Sequence, residues 1–265
     1  MLINKDIAIS TPKILLVPYD AHHVERYHQW MEDPDVQAAT ASEPLTLEEE
    51  RENQQSWRDS HDKLTFIVCE PWPISTDNAN DPAIVYAGEV DTAVEMLGDV
   101  NLFLTPYDED NEDEEEKQSI AGGTSTNKSP VVWLKAEIDI MIASAKDRGK
   151  GRGKAAVEAL LEFLRRNLDG ILEEYHHTNT KKDTKSEEGS PRLRHLFAKM
   201  NTENRGSTAL FHSLGFVPTP GGPDYFGELT VMRWPAFSEK DGEGIEGYQE
   251  VLFDRSRLGR YGKIS

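Results

Sequence analysis

Residues 136–168 read AEIDIMIASAKDRGKGRGKAAVEALLEFLRRNL, and three different patterns follow one another within them. Ala136–Ala143 alternates with period two, the signature of a half-buried strand. The next residues, from Ser144 to Lys154, are crowded with Gly, Arg and Lys. Beyond them Val157, Leu160, Leu161, Leu164 and Leu168 share one helical face, with Glu158, Glu162, Arg165 and Arg166 opposite. A helix start leaves backbone N–H groups without partners, and beside glycines and cationic side chains they form an anion site. The pattern therefore predicts a strand, a pyrophosphate-holding loop and a helix that ends at Gly170.

Upstream, Lys13–Val17 reads as a strand closed by Pro18. Ala21–Met31 reads as a helix stopped at Asp33-Pro34, with Val24, Tyr27, His28 and Met31 at helical spacing. His22 and His23 are neighbours and so are expected on different helix faces, which argues against a metal site. Thr46-Leu47-Glu48-Glu49 fits a capping box that opens a second helix. Leu64–Cys69, Ile84–Val90 and Val100–Leu104 then read as three strands of an antiparallel meander, with Gly98-Asp99 as the turn before the third. Downstream of the helix, Leu193–Met200 reads as a strand, Asn204–Leu214 as a short helix and Leu229–Trp234 as a last strand. This order predicts a single mixed α/β domain over residues 1–235. Surface insertions are expected near 71–82, 105–130 and 176–192, followed by a poorly packed tail at 236–265.

The chain of 265 residues has a formal net charge of −19, which disfavours nucleic acid and anionic membranes and suits a cationic partner. The run 108–116 supplies eight of the acidic groups and reads as a solvated loop. Cys69, the single cysteine, lies in an apolar run and is expected as a buried free thiol. MLINKDIAIS has no apolar leader core, and no apolar run approaches the roughly eighteen residues of a membrane span. The expectation is a soluble, intracellular, cytoplasmic protein.

The loop matches some phosphate motifs poorly. A P-loop needs Ser or Thr after Gly153-Lys154, where Ala155 stands, and a glycine where Arg148 stands. A dinucleotide fingerprint through Gly151, Gly153 and Ala156 starts too far from its strand. Arg148, Lys150, Arg152 and Lys154 lack the interleaved aromatics of a nucleic-acid patch. The pattern that fits is R-x-x-G-x-G, at Arg148, Gly151 and Gly153. With Glu137 on the preceding strand and Asn204, Ser207, Phe211 and Gly215-Phe216 downstream, it resembles the coenzyme A motifs of the GNAT superfamily of N-acetyltransferases. The segments HHVERYHQWMEDP, TASEPLT and GDVNLFL look similar to its N-acetyltransferase-9-like branch.

The resemblance implies a GNAT acyl-CoA N-acyltransferase fold, a mixed central sheet flanked by helices and splayed between its fourth and fifth strands, Ala136–Ala143 being the fourth. It implies acetyl-CoA as cosubstrate and no metal. Met141, Ile142 and Ala143 would meet the pantetheine through the main chain. Arg148, Gly149, Lys150, Gly151, Arg152, Gly153 and Lys154 would hold the pyrophosphate. Asn204, Ser207 and Phe211 would form the second cofactor wall. The implied reaction is direct attack of an amine on the thioester, with a protein or peptide lysine or N-terminus, or a small polyamine, as acceptor. A lysine amine titrates near 10.4 and an α-amine about 7.7–8.0, so a base must take a proton. Glu137 is the leading candidate, ahead of Asp139, Glu89, Asp91 and Glu43. Phe211 stands where the family often has a tyrosine as proton donor, and exposed His212 is a poor substitute. That leaves open a non-catalytic acetyl-CoA-binding module.

Overall fold

Apolar residues at nearly every position of Lys63–Cys69 require that both faces of that strand be covered, and they are. In the computed structural model Leu64, Phe66 and Val68 face one helical layer while Ile67 and Cys69 face the other. The structure describes residues 1–40, 42–74, 83–107, 131–182, 189–237 and 244–259. The elements are β1 (Ile7–Ser10), β2 (Leu15–Pro18), α1 (Val24–Met31), α2 (Pro34–Thr40), α3 (Leu47–Asp59), β3 (Lys63–Cys69), β4 (Ile84–Tyr86) and β5 (Met96–Pro106). They continue with β6 (Val131–Ile142), α4 (Arg152–Lys182), β7 (Ser190–Asn201), α5 (Arg205–Ser213), β8 (Val217–Pro218), β9 (Glu228–Arg233) and β10 (Gln249–Asp254). The strands form one ten-stranded sheet in the order β4-β10-β1-β2-β3-β5-β6-β7-β9-β8. Among the described residues, only β6–β7 and β10–β4 pair in parallel. Among the described residues no helix is long and apolar enough to cross a membrane.

The long helix α4 covers one face, and Phe163 meets Phe66 edge-on with centroids 5.4 Å apart. On the other face α1 and α2 bring Val24, Trp30, Met31 and Val36 onto Leu15, Val17, Ile67 and Cys69. Cys69 is a buried free thiol. Thr46 caps α3 as its sequence predicts, accepting from Glu49 N–H while Glu49 reaches back to the Thr46 N–H at 2.8 Å.

Several expectations are corrected. Gly170 does not end α4. The helix bends at Asn167 (φ −111°, ψ 15°), whose side-chain amide donates to the Phe163 carbonyl at 3.0 Å, and then runs on into the expected insertion. Gly170 instead admits Ile3, whose Cδ1 would lie 2.9 Å from an added Cβ. There is no three-strand meander: β3 pairs directly with β5, and the short β4 pairs with β10 at the far edge. Gly98 and Asp99 lie inside β5 rather than in a turn. Beyond residue 235 the described part of the tail packs, because β10 inserts between β1 and β4 and buries Val251 and Phe253. The acidic run 108–116 lies outside the described residues.

His22 and His23 do not diverge. They form a 3-10 turn with Ala21, and both Nε2 atoms lie 2.9 Å from Asp91 Oδ2. The Asp20 N–H donates to His23 Nδ1, which leaves the proton of neutral His23 on Nε2, pointing at Asp91. That tautomer makes the cluster a hydrogen-bond clasp and disfavours metal ligation through the same nitrogen. Burial alone would raise the Asp91 carboxyl, but the hydrogen bonds from His22 and His23 outweigh it and hold it well below the usual carboxylate range. A depressed acid adds stability above its unfolded pKa and loses it as pH falls. Asp91→Ala should leave the fully buried His23 donor unpaired and cost about 1–3 kcal/mol at neutral pH, measured by denaturant unfolding.

Candidate active site

Pairing between β6 and β7 runs from Val131↔Ser190 to Glu137↔Phe197 and then stops. β7 continues beside β9 to Asn201, and β6 continues beside β5 to Ile142, so a wedge opens between them. Which main-chain groups face the wedge follows from the β5 register. The Ala143 N–H donates to the Leu97 carbonyl at 2.9 Å, and alternate residues of a strand face the same edge. Met141 and Ala143 therefore turn toward β5, and Ile138, Ile140 and Ile142 turn toward the wedge. The expectation that Met141 and Ala143 offer their main chain there is corrected by one residue. Gly98 makes this packing possible: a Cβ added to it would sit 1.8 Å from the Met141 carbonyl oxygen.

At the end of β6 the chain makes a 3-10 turn, Ala145–Asp147, and enters the glycine-rich loop. Gly149 and Gly151 adopt φ of +73° and +77°, conformations that side chains with a Cβ resist. The first bond of α4 runs from Ala155 N–H to Gly151 O at 3.0 Å, so the amides just before it have no intrahelical acceptor. Arg148 donates to the Ile142 and Ala143 carbonyls at 2.8 and 2.9 Å and ties the loop to the strand. Arg152 is held by Asp147 at 3.0 Å and Glu70 at 2.7 Å, and Lys154 lies 3.8 Å from Glu158. Lys150 touches Asp147 at 3.3 Å with its side chain 53% exposed. Gly153 lets α4 approach Leu210 and Ile142 closely.

This loop, Ile140, Met141, Ile142, Asn204, Ser207 and Leu210 line a groove of about 420 Å³. Asn204 caps α5, its side-chain oxygen accepting the Ser207 N–H at 3.1 Å. Phe211 is 2% exposed and meets Phe216 edge-on at 5.1 Å. No hydroxyl stands in its place, and His212 is exposed.

A second cleft of about 470 Å³ shares Ile140, Met141, Asn204 and Ser207 with the groove. Phe211 also lines it, and its floor carries Asp99 and Asn101 from β5, Glu137 and Asp139 from β6, and Lys199 from β7. Burial pushes the Asp99 carboxyl up to about 7, opposed by hydrogen bonds from Asn101 and Tyr27 and assisted by the Asp139 charge. Asp139 reaches solvent at the cleft surface, yet the enclosing walls desolvate it and, with the Glu137 charge, raise it to about 6. Glu137 is raised by burial against the pull of Lys199, whose Nζ lies 3.8 Å away. Of the other base candidates, Glu89 pairs with Arg257 at 2.9 Å, Asp91 belongs to the histidine clasp and Glu43 is exposed. None of the three lines the cleft. Asp99 is absent from the sequence-based candidates because Gly98-Asp99 carries a turn signal. Its register opposite Met141 is a tertiary fact.

A profile for the acetyltransferase (GNAT) domain matches residues 13–217. The chain belongs to the GNAT acetyltransferase family. An N-acetyltransferase 9-like protein of Schizosaccharomyces pombe is 34% identical over 236 residues, covering 88% of this chain and 99% of that protein. The alpha/beta-tubulin-N-acetyltransferase 9 of Drosophila melanogaster is 33% identical over 233 residues, covering 88% of this chain and 89% of its own. The Homo sapiens protein of that name is 33% identical over 217 residues, covering 81% and 84%. The GNAT resemblance and the splayed mixed sheet expected from it both hold, and the enzyme class is N-acetyltransferase.

Gly98→Ala tests whether the floor of the GNAT wedge depends on this close strand contact. Forcing a Cβ against the Met141 carbonyl should destabilise by about 2 kcal/mol. The expected readout is a melting temperature lower by about 5 °C.

Proposed function

We propose that this GNAT enzyme transfers the acetyl group of acetyl-CoA to an amine of a protein or peptide, an N-terminus or a lysine. The observation that carries the reading is the meeting of the glycine-loop groove and the acidic cleft at Ile140 and Met141. The donor set suits coenzyme A: free amides at a helix start for a pyrophosphate, and an open strand edge for the pantetheine amides. Acetyl-CoA supplies the activated acyl group.

In this reading the amides from Gly149 to Lys154 hold the pyrophosphate, with Lys150 adding charge from the rim. Arg148 holds the loop in place through the Ile142 and Ala143 carbonyls, a different role from the direct phosphate contact its motif position suggests. Ile140 and Ile142 present main-chain groups to the pantetheine, and Asn204, Ser207 and Leu210 form the facing wall, while Phe211, expected there from its motif position, lines the adjoining cleft. Glu137, Asp139 and Glu228 make the acceptor cleft negative, which favours a cationic amine and an acceptor segment with basic neighbours. A protein acceptor is supported by the relatives named as tubulin acetyltransferases.

Phe211 favours a second reading, a module that binds acetyl-CoA without turning it over, because phenylalanine cannot donate a proton to the leaving thiolate. One experiment separates the readings. The protein is incubated with acetyl-CoA and a peptide library that includes tubulin N-terminal sequences and basic lysine peptides. Acetylated products are read by mass spectrometry and free thiol by a colorimetric reagent. Acetylated peptide with stoichiometric thiol is the expected result. Thermal stabilisation by acetyl-CoA with no product from any amine would establish the second reading. Gly151→Val, which places a branched side chain at φ +77°, should abolish stabilisation by acetyl-CoA.

A further inference from the structure

Glu137 leads the sequence-based choice of base, but its place along β6 is against it. It sits at the last β6–β7 pair, four residues and so about 13 Å along the strand from Met141, where the groove and cleft meet. Asp139 is only two residues from that junction, and Asp99 is directly opposite Met141 on the adjacent strand. The two aspartates are diagonal neighbours on the same sheet face, because Asp139 pairs with Asn101 and Asp99 lies two residues before Asn101. Asp99 is 2% exposed and has no cationic partner among the described residues; its carboxylate accepts from Asn101 Nδ2 at 2.6 Å and bonds with Tyr27. Lys199, the cation at the cleft floor, is placed on Glu137 instead.

We propose that Asp139 and Asp99 form the proton-accepting pair for the attacking amine, Asp139 touching the amine and Asp99 taking up the proton through it. The proposal rests on the acetyl-transfer reading above. In the balanced step, the ammonium loses two protons, the amide C–N bond forms and the thioester C–S bond breaks. One proton passes to the aspartate pair and on to solvent, and the other ends on the departing sulfur. The two carboxyls suit this because they titrate in sequence. Asp139 ionises first, and its charge then helps hold a proton on buried Asp99, leaving the pair poised near neutrality. The other titratable groups facing the pair are Tyr19 after β2, Tyr27 on α1, Glu137 on β6, Lys199 on β7 and Glu228 on β9.

The test is the pH profile of kcat/KM for a free-amine peptide that the enzyme acetylates, measured on wild type, Asp99→Asn, Asp139→Asn and Glu137→Gln. Asparagine matches neutral aspartic acid in shape, and acetyl-CoA thermal stabilisation confirms that each variant is folded and binds the cofactor. The wild-type profile should rise with pH through a limb between about 6 and 7. Both aspartate variants should lose that limb and about 100-fold or more of kcat/KM while keeping acetyl-CoA stabilisation. Retention of limb and rate in Asp99→Asn, or loss of the limb in Glu137→Gln alone, overturns the proposal and leaves the acetyl-transfer reading standing. Absence of turnover by wild type with every amine overturns both.

Discussion

β6 loses its parallel partner after Glu137, and the rest of the molecule is arranged around the edge this exposes. A strand edge with unpaired amides and carbonyls is a liability in most sheets, because it invites pairing with another chain. Here the edge lies in a wedge, shielded by α5 on one side and by the glycine loop at its mouth. An extended ligand with its own amides can complete the ladder there. The wedge itself depends on β7 leaving to follow β9, and on β5 staying with β6 along its whole length. Gly98 is the point where that second requirement becomes a steric one.

The same strand has two chemically different neighbours. On the α4 side its side chains are apolar, with Ala136 and Ile138 in the core, and on the α1–α3 side they include Glu137 and Asp139. Period-two alternation therefore separates core from chemistry along one short segment. The cleft walls then control proton affinity by excluding water. Burial is the largest influence on Asp99, Glu137 and Asp139 alike, and each is raised. Arg148 in the glycine loop does not point a free charge at the groove. Arg148 is spent on carbonyls at the end of β6, so the loop's conformation is fixed before any ligand binds and less ordering entropy is lost on binding.

Much of this was legible as local pattern. The strand at 136–142, the loop glycines, the start of α4, the Thr46 cap and the Asn204–Phe216 unit all write their structure into a few adjacent residues. What escaped reading depends on distant neighbours. β1 and β10 are short and meet only in three dimensions, so Val251 and Phe253 looked like part of a loose tail. Gly98-Asp99 has a turn composition, yet the demand on Gly98 comes from a carbonyl more than forty residues away. The choice of Ile140 and Ile142 over Met141 and Ala143 is a question of register with β5, which residue types on β6 alone do not encode. His22 and His23 converge because a 3-10 turn precedes α1, where a regular helix would have separated them.

In the proposed reading coenzyme A lies in the wedge, pairing with the open edge of β6 and seated on the loop before α4. Amide hydrogen exchange with and without acetyl-CoA tests it directly. Exchange should slow at Ile140 and Ile142 and from Gly149 to Lys154, with Met141, already bonded toward β5, little changed. Saturating acetyl-CoA that leaves those amides exchanging at their free rate, or protects a different part of the sheet, would contradict it.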